Sequence, residues 1–165
     1  MQELVLRTEI KLAELVRRAR EEAGAAIGEL RDLARGIAPP VLTDRGLRAA
    51  VEALAATSTL PVEVSGDAGP RPPASIERAG YFVVAEALAN AGKHAAATRV
   101  RIALSREPGT LTVTVRDDGC GGADPDGSGL AGLRGRVEGV DGRLEVVSPP
   151  GEGTTIRAIL PCASS

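Results

Sequence analysis

The chain has 165 residues, 43% of them hydrophobic and 25% charged, with a formal net charge of −2 and a pI near 5.5. That is the make-up of one medium soluble domain, or of a small domain with an appendage, able to bury a core. The acidic balance argues against nucleic acid as a partner, and aromatics at 1% exclude recognition by base stacking and require an aliphatic core. Cys120 and Cys162 lack metal-ligand spacing and are expected to be free thiols in a reducing compartment. With no signal peptide and no run of 18 apolar residues, the expected location is cytoplasmic, with any membrane attachment supplied by parts outside this chain.

Residues 2–38 contain no proline and read as one long helix. Leu12, Val16, Ala19, Ala23, Ala26, Leu30, Leu33 and Ile37 step by alternating four and three, a heptad seam that a helix must bury against partner helices. Homodimerisation through a bundle is therefore expected, although the same helix could pack on its own domain. Pro39-Pro40 stops it. Thr43 or Asp44 can cap a second helix reaching about Ser58, and residues 61–65 read as a short strand. Ser75 is expected to cap a third helix reaching about Ala96. Arg99–Ser105 and Leu111–Arg116 form a hairpin across Glu107-Pro108-Gly109, and Arg143–Ser148 and Thr154–Leu160 a second across Pro149-Pro150-Gly151. A glycine-rich loop at 119–129 and a short helix at about 130–140 separate them. Elements in this order predict an α+β fold, helices layered on one face of a mixed sheet.

The third helix carries the chemistry. In YFVVAEALANAGKHAAA the polar side chains Glu86, Asn90, Lys93 and His94 interrupt an apolar run, and at about 100° per residue they share one face of roughly 100°. The chain has one histidine and only two lysines, and His94 and Lys93 stand together here. Downstream, eleven of the twenty glycines fall between residues 117 and 153, which marks backbone that comes close to something or takes positive φ. In DDGCGG, Asp117 and Asp118 lie at a strand terminus, where a carboxylate can accept hydrogen bonds from a ligand amine. In GSGLAGL, Gly127 and Gly129 precede a helix start, whose N–H groups favour an anion. GSGLAG formally matches G-x-G-x-x-G, but Ala-Asp-Pro-Asp before it is no strand, so a dinucleotide fold is rejected. No P-loop motif exists, and a calcium loop through Asp117, Asp118 and Asp124 lacks its closing glutamate.

Together these segments resemble the ATP-binding domain of sensor histidine kinases, in the Bergerat-fold superfamily shared with gyrase-type ATPases. EALANAGKH resembles the asparagine box, DDGCGG and GSGLAGL the two glycine boxes, and GEGTT the closing glycine-threonine motif. The short lid and the phrase LRDLARGIAPPVL resemble the nitrate- and membrane-fluidity-sensing subfamily. The resemblance implies an α+β two-layer sandwich preceded by one long α-helix, with residues 1–40 part of a dimerisation and phosphotransfer bundle and 41–162 the catalytic domain. It implies ATP or ADP and Mg²⁺ as ligands and a response regulator as partner.

Residue by residue, the resemblance makes Asn90 a Mg²⁺ ligand, Glu86 the group that orients or deprotonates the nucleophile, and Lys93 and His94 neutralisers of phosphate charge. Asp117 resembles the aspartate that takes the adenine amino group, supported by Thr154. Gly119 and Gly121 would let adenine sit against backbone, and Gly127, Gly129, Leu130 and Gly132 would form a lid; residues 121–129, rich in glycine, are expected to be poorly ordered when empty. A histidine kinase phosphorylates a histidine in its bundle, and this chain has none but His94. The acceptor helix is therefore expected to have been trimmed away, leaving a chain that binds nucleotide without phosphorylating itself. An anti-sigma-type serine kinase of the same fold and a non-catalytic nucleotide-binding dimerisation module remain the alternatives.

Overall fold

A computed structural model of the chain describes residues 38–93, 95–124 and 127–162. The heptad segment, His94, residues 125–126 and the last three residues lie outside the described residues. From Ala38 onward the chain forms one compact unit, built as α1 (Pro40–Ala56), β1 (Val62–Gly66), α2 (Ala74–Lys93), β2 (Val100–Glu107), β3 (Thr110–Asp117), α3 (Ser128–Glu138), β4 (Arg143–Val147) and β5 (Thr155–Pro161).

The five strands make one sheet in the order β1-β2-β3-β5-β4, with β1 parallel to β2 and the other pairs antiparallel. Period-two alternation decides the layering. Val100, Ile102 and Leu104 of β2, Leu111, Val113 and Val115 of β3, and Ile156, Ala158 and Leu160 of β5 all point to the covered face. The opposite face carries residues such as Arg101, Thr112, Thr114 and Arg157. Each fully buried aliphatic side chain, Ile102, Leu111 and Leu160 among them, contributes about 1.5–3 kcal/mol through removal from water. Helix α2 lies across this face through Val83, Val84, Ala87 and Ala91. It comes close at Gly80, where a Cβ would stand 3.0 Å from Leu47 Cδ2 and 3.3 Å from Val113 Cγ2. Among the described residues no helix is long and apolar enough to cross a membrane.

Two helix starts differ from the sequence expectation. Helix α1 begins at Pro40, four or five residues early, and breaks at Gly46, where φ is 81° and ψ −179°. Its second half is capped from another helix: Glu77 Oε1 accepts the Leu47 N–H at 3.2 Å. Arg71 clamps the same corner, donating to Glu77 Oε2 at 3.2 Å and to the carbonyl oxygens of Leu42 and Thr43. Helix α2 begins at Ala74, with Pro73 O accepting the N–H groups of Ile76 and Glu77, so Ser75 stands inside the first turn. The helices also end early, α1 at Ala56 and α2 at Lys93.

This topology brings three chain segments to one end of the sheet. Strand β3 ends at Asp117 beside the start of β5, with the Asp117 N–H donating to Thr154 O at 3.0 Å. The segment just past α2 meets the same end, where Ala95 O accepts the Cys120 N–H at 2.7 Å.

Candidate functional site

At this end of the sheet lies a cavity of about 430 Å³, within the range of small-molecule sites. Ala87, Ala95, Leu130 and Ile156 give it apolar walls, Gly121, Gly122, Ala123, Gly127 and Gly129 bring backbone to its rim, and Asn90, Asp117, Asp124 and Thr154 supply its polar groups. Helix α2, the β3 terminus, the glycine segments and the β4–β5 hairpin thus meet around one space, although they are far apart in sequence.

The two adjacent aspartates divide their work. Asp117 is buried, 8% exposed, and its Oδ1 accepts the N–H groups of Gly119 at 2.9 Å and Thr154 at 3.2 Å. Its Oδ2 receives no hydrogen bond from the described residues. Asp118 points away, to the segment after α2. It accepts Thr98 N–H at 2.8 Å, Thr98 Oγ1–H at 2.7 Å and Arg99 N–H at 3.0 Å, with Arg99 Nε at 3.5 Å. Those donors, the Thr98 hydroxyl first, lower the Asp118 carboxyl to about 2. One carboxylate lines the cavity; its neighbour stitches the loop after β3 to the segment that follows α2.

Glycine is required here mostly by protein backbone. At Gly121, with φ +61°, a Cβ would run into Pro149 O, and at Gly153, with φ +77°, into Asp117 O. Gly129 stands against the helix face: its Cβ would lie 2.7 Å from Glu86 Oε1 and 3.9 Å from Asn90 Nδ2. The start of α3 is therefore seated directly on Glu86 and Asn90, one turn apart on α2. Farther along, the guanidinium of Arg136 on α3 lies 4.7 Å from the Phe82 ring centroid, a contact worth about 0.5–2 kcal/mol.

Of the residues expected at the site, Asn90, Asp117, Gly121, Gly127, Gly129, Leu130 and Thr154 line the cavity. Glu86 joins them through Gly129. Lys93 is exposed and lines a different, shallow groove with Leu54, Thr57, Ser58 and Leu88. Gly119 lies outside the cavity wall, against Ala95, and Gly132 is an open position on α3. His94 lies outside the described residues. Sequence reasoning missed Ser148, whose Oγ is 2.8 Å from Thr154 Oγ1 and accepts the Ala123 N–H at 3.0 Å. A signal existed, since the β4–β5 hairpin pairs Val147 with Thr155 and so sets Ser148 opposite Thr154. Among the described residues no three His, Cys, Asp or Glu side chains converge on a metal position.

The family model for "Histidine kinase-, DNA gyrase B-, and HSP90-like ATPase" matches residues 76–164, more than half of the chain. The chain is 36% identical over 97 residues to the signal transduction histidine-protein kinase/phosphatase DegS of Brevibacillus brevis, covering 56% of this chain and 25% of that protein. It is 31% identical over 169 residues to the sensor histidine kinase MctS of Rhizobium johnstonii, covering 94% of this chain and 36% of that protein. The chain thus spans about a quarter to a third of these relatives. Its fold is similar to the histidine kinase domain of the blue-light-activated kinase EL346 from Erythrobacter litoralis, with a TM-score of 0.55 and 27% identity over 68% of this chain and 56% of that one. The chain belongs to the histidine kinase-, DNA gyrase B- and HSP90-like ATPases and is the catalytic domain of a sensor histidine kinase.

Proposed function

We propose that this domain binds ATP or ADP with Mg²⁺ between α2 and the glycine segments and donates the γ-phosphoryl group to a histidine outside these 165 residues, for relay to a response regulator. The observation that carries this reading is the convergence of Asn90, Asp117, Thr154 and the glycine rim on one cavity. Asp117, with one oxygen committed to backbone and the other open, suits an exocyclic amine, and Ala87, Ala95 and Ile156 suit a flat ring. Mg²⁺ fits the donor set, because the Asn90 amide oxygen is a hard ligand and Mg²⁺ is commonly held by one or two protein oxygens plus substrate phosphates. When bound, Mg²⁺ would neutralise the charge that develops on the phosphates.

Asn90 would hold that ion, and Glu86, one turn earlier and 9% exposed, would orient or deprotonate the attacking imidazole. Gly127, Gly129 and Leu130 would close over the phosphates and exclude water. His94 would add positive charge. The N-terminal heptad segment would dimerise the chain.

Calorimetry with ADP and a non-hydrolysable ATP analogue tests the reading. Asp117→Asn is expected to weaken binding with or without Mg²⁺, whereas Asn90→Ala is expected to weaken it only while Mg²⁺ is present. Unchanged binding in both variants refutes the site. Labelled ATP incubated with the chain alone is expected to leave no acid-labile phosphoprotein; one would overturn the assignment of the acceptor to another segment.

A further inference from the structure

We propose that Ser148 sets the hydrogen-bond polarity of Thr154, and with it the preference for a 6-aminopurine, and that it ties this preference to the base of the lid. The inference rests on the nucleotide reading above and deepens it. Ser148 stands at the end of β4, half-buried and next to the hairpin turn. Its carbonyl oxygen accepts the Gly122 N–H at 2.9 Å, and its Oγ accepts the Ala123 N–H at 3.0 Å. Its Oγ also lies 2.8 Å from Thr154 Oγ1, and the Thr154 N–H in turn donates to Asp117 Oδ1 at 3.2 Å. One residue therefore links Gly122 and Ala123, at the base of the glycine segment that leads into the lid, to Thr154 and through it to Asp117.

The hydroxyl pair admits either donor, and the proposal is that Ser148 donates to Thr154. A serine hydroxyl has one proton and two lone pairs. The Ala123 N–H occupies one lone pair, and Thr154 Oγ1 is the one described acceptor within reach of the Ser148 proton. With Ser148 donating, Thr154 keeps its own proton to offer into the cavity it lines. Next to it, Asp117 Oδ2 is a pure acceptor. An acceptor beside a donor complements a purine edge bearing an amino group beside an unprotonated ring nitrogen. A 6-oxopurine presents the reverse, a carbonyl beside a ring N–H, and meets two mismatches.

The test compares ATP with ITP, its 6-oxo analogue, by calorimetry on the full chain and on Ser148→Ala and Ser148→Thr. The unaltered chain is expected to prefer ATP. Ser148→Ala frees the Thr154 rotor and is expected to cut that preference about five- to tenfold, whereas Ser148→Thr keeps the hydroxyl and the preference. Amide exchange without nucleotide gives an independent readout: Ala123 is expected to exchange about fivefold to tenfold faster in Ser148→Ala and near the unaltered rate in Ser148→Thr. An unchanged ATP:ITP ratio in a folded Ser148→Ala that binds ATP overturns this inference alone. Failure of the unaltered chain to bind either nucleotide overturns the nucleotide reading and this inference with it. Should Ser148→Ala not fold, Ser148→Cys takes its place, and a ratio equal to the unaltered chain's again overturns the proposal.

Discussion

Gly119→Ala puts one methyl group where the fold has no room. The new Cβ would stand 2.9 Å from the carbonyl carbon of Ala95, against an ordinary contact of 3.4–4 Å, and closer still to Ala95 Cβ and Ala95 O. All three are backbone or the first side-chain atom, so no rotamer change relieves the overlap. The loop must instead lift, and that breaks the 2.7 Å bond from Cys120 N–H to Ala95 O. Overpacking of this kind costs about 1–3 kcal/mol, and the broken hydrogen bond adds about 1 kcal/mol. A total of about 2–4 kcal/mol corresponds to a fall in Tm of roughly 6–16 °C for a domain of this size. Lifting also removes the Gly119 N–H from Asp117 Oδ1, so nucleotide affinity is expected to fall with stability. Gly132→Ala is the control. Gly132 lies within α3 with nothing within 4 Å of a Cβ, so alanine there is expected to add about 0.5–1 kcal/mol. Calorimetric melting and nucleotide titration measure both. A Gly119→Ala protein melting within about 2 °C of the unaltered chain would refute the packing argument.

Three further outcomes are expected. Glu77→Ala leaves the Leu47 N–H and the Arg71 guanidinium without their buried acceptor and is expected to cost about 2–4 kcal/mol in urea unfolding, with nucleotide affinity unchanged below the transition. Asp117→Asn keeps an acceptor for the Gly119 and Thr154 N–H groups but presents an amide to the ligand; calorimetry is expected to show about tenfold or greater loss of ATP affinity with little change in Tm. Asp118, lowered from 3.8 to about 2 by its Thr98 and Arg99 donors, contributes stability that is present above the ordinary carboxylate value and lost as the pH falls through about 2. The Tm difference between Asp118→Asn and the unaltered chain is therefore expected to shrink as the pH is lowered across that window, and a constant difference would refute the clamp.

Asp117 and Asp118 show how far the sequence could be read. Motif order placed Asp117 at a strand end with glycines after it, and the structure has it there. Nothing local distinguishes the two carboxylates, because they stand on opposite sides of the chain and only the tertiary partners differ. The glycines were legible as places of close approach, but what approaches was not: at Gly121 and Gly153 it is the backbone of Pro149 and Asp117. Helix starts were the least legible. Pro39 and Pro73 precede the two helices in place of the expected caps Thr43 or Asp44 and Ser75, and Glu77 caps the half of α1 that follows Gly46.

By itself, then, the sequence determined the two hairpins and the order of the elements, because periodicity and turn chemistry act over a few residues. The hairpin ends differ from expectation by no more than two residues. Only the tertiary structure decided that Ser148 faces Thr154, that Gly129 rests on Glu86, and that Glu77 caps a helix thirty residues away. Those contacts depend on how distant segments meet across the sheet, and side-chain hydrogen bonds of a few ångströms are set by that meeting, not by neighbours in the chain.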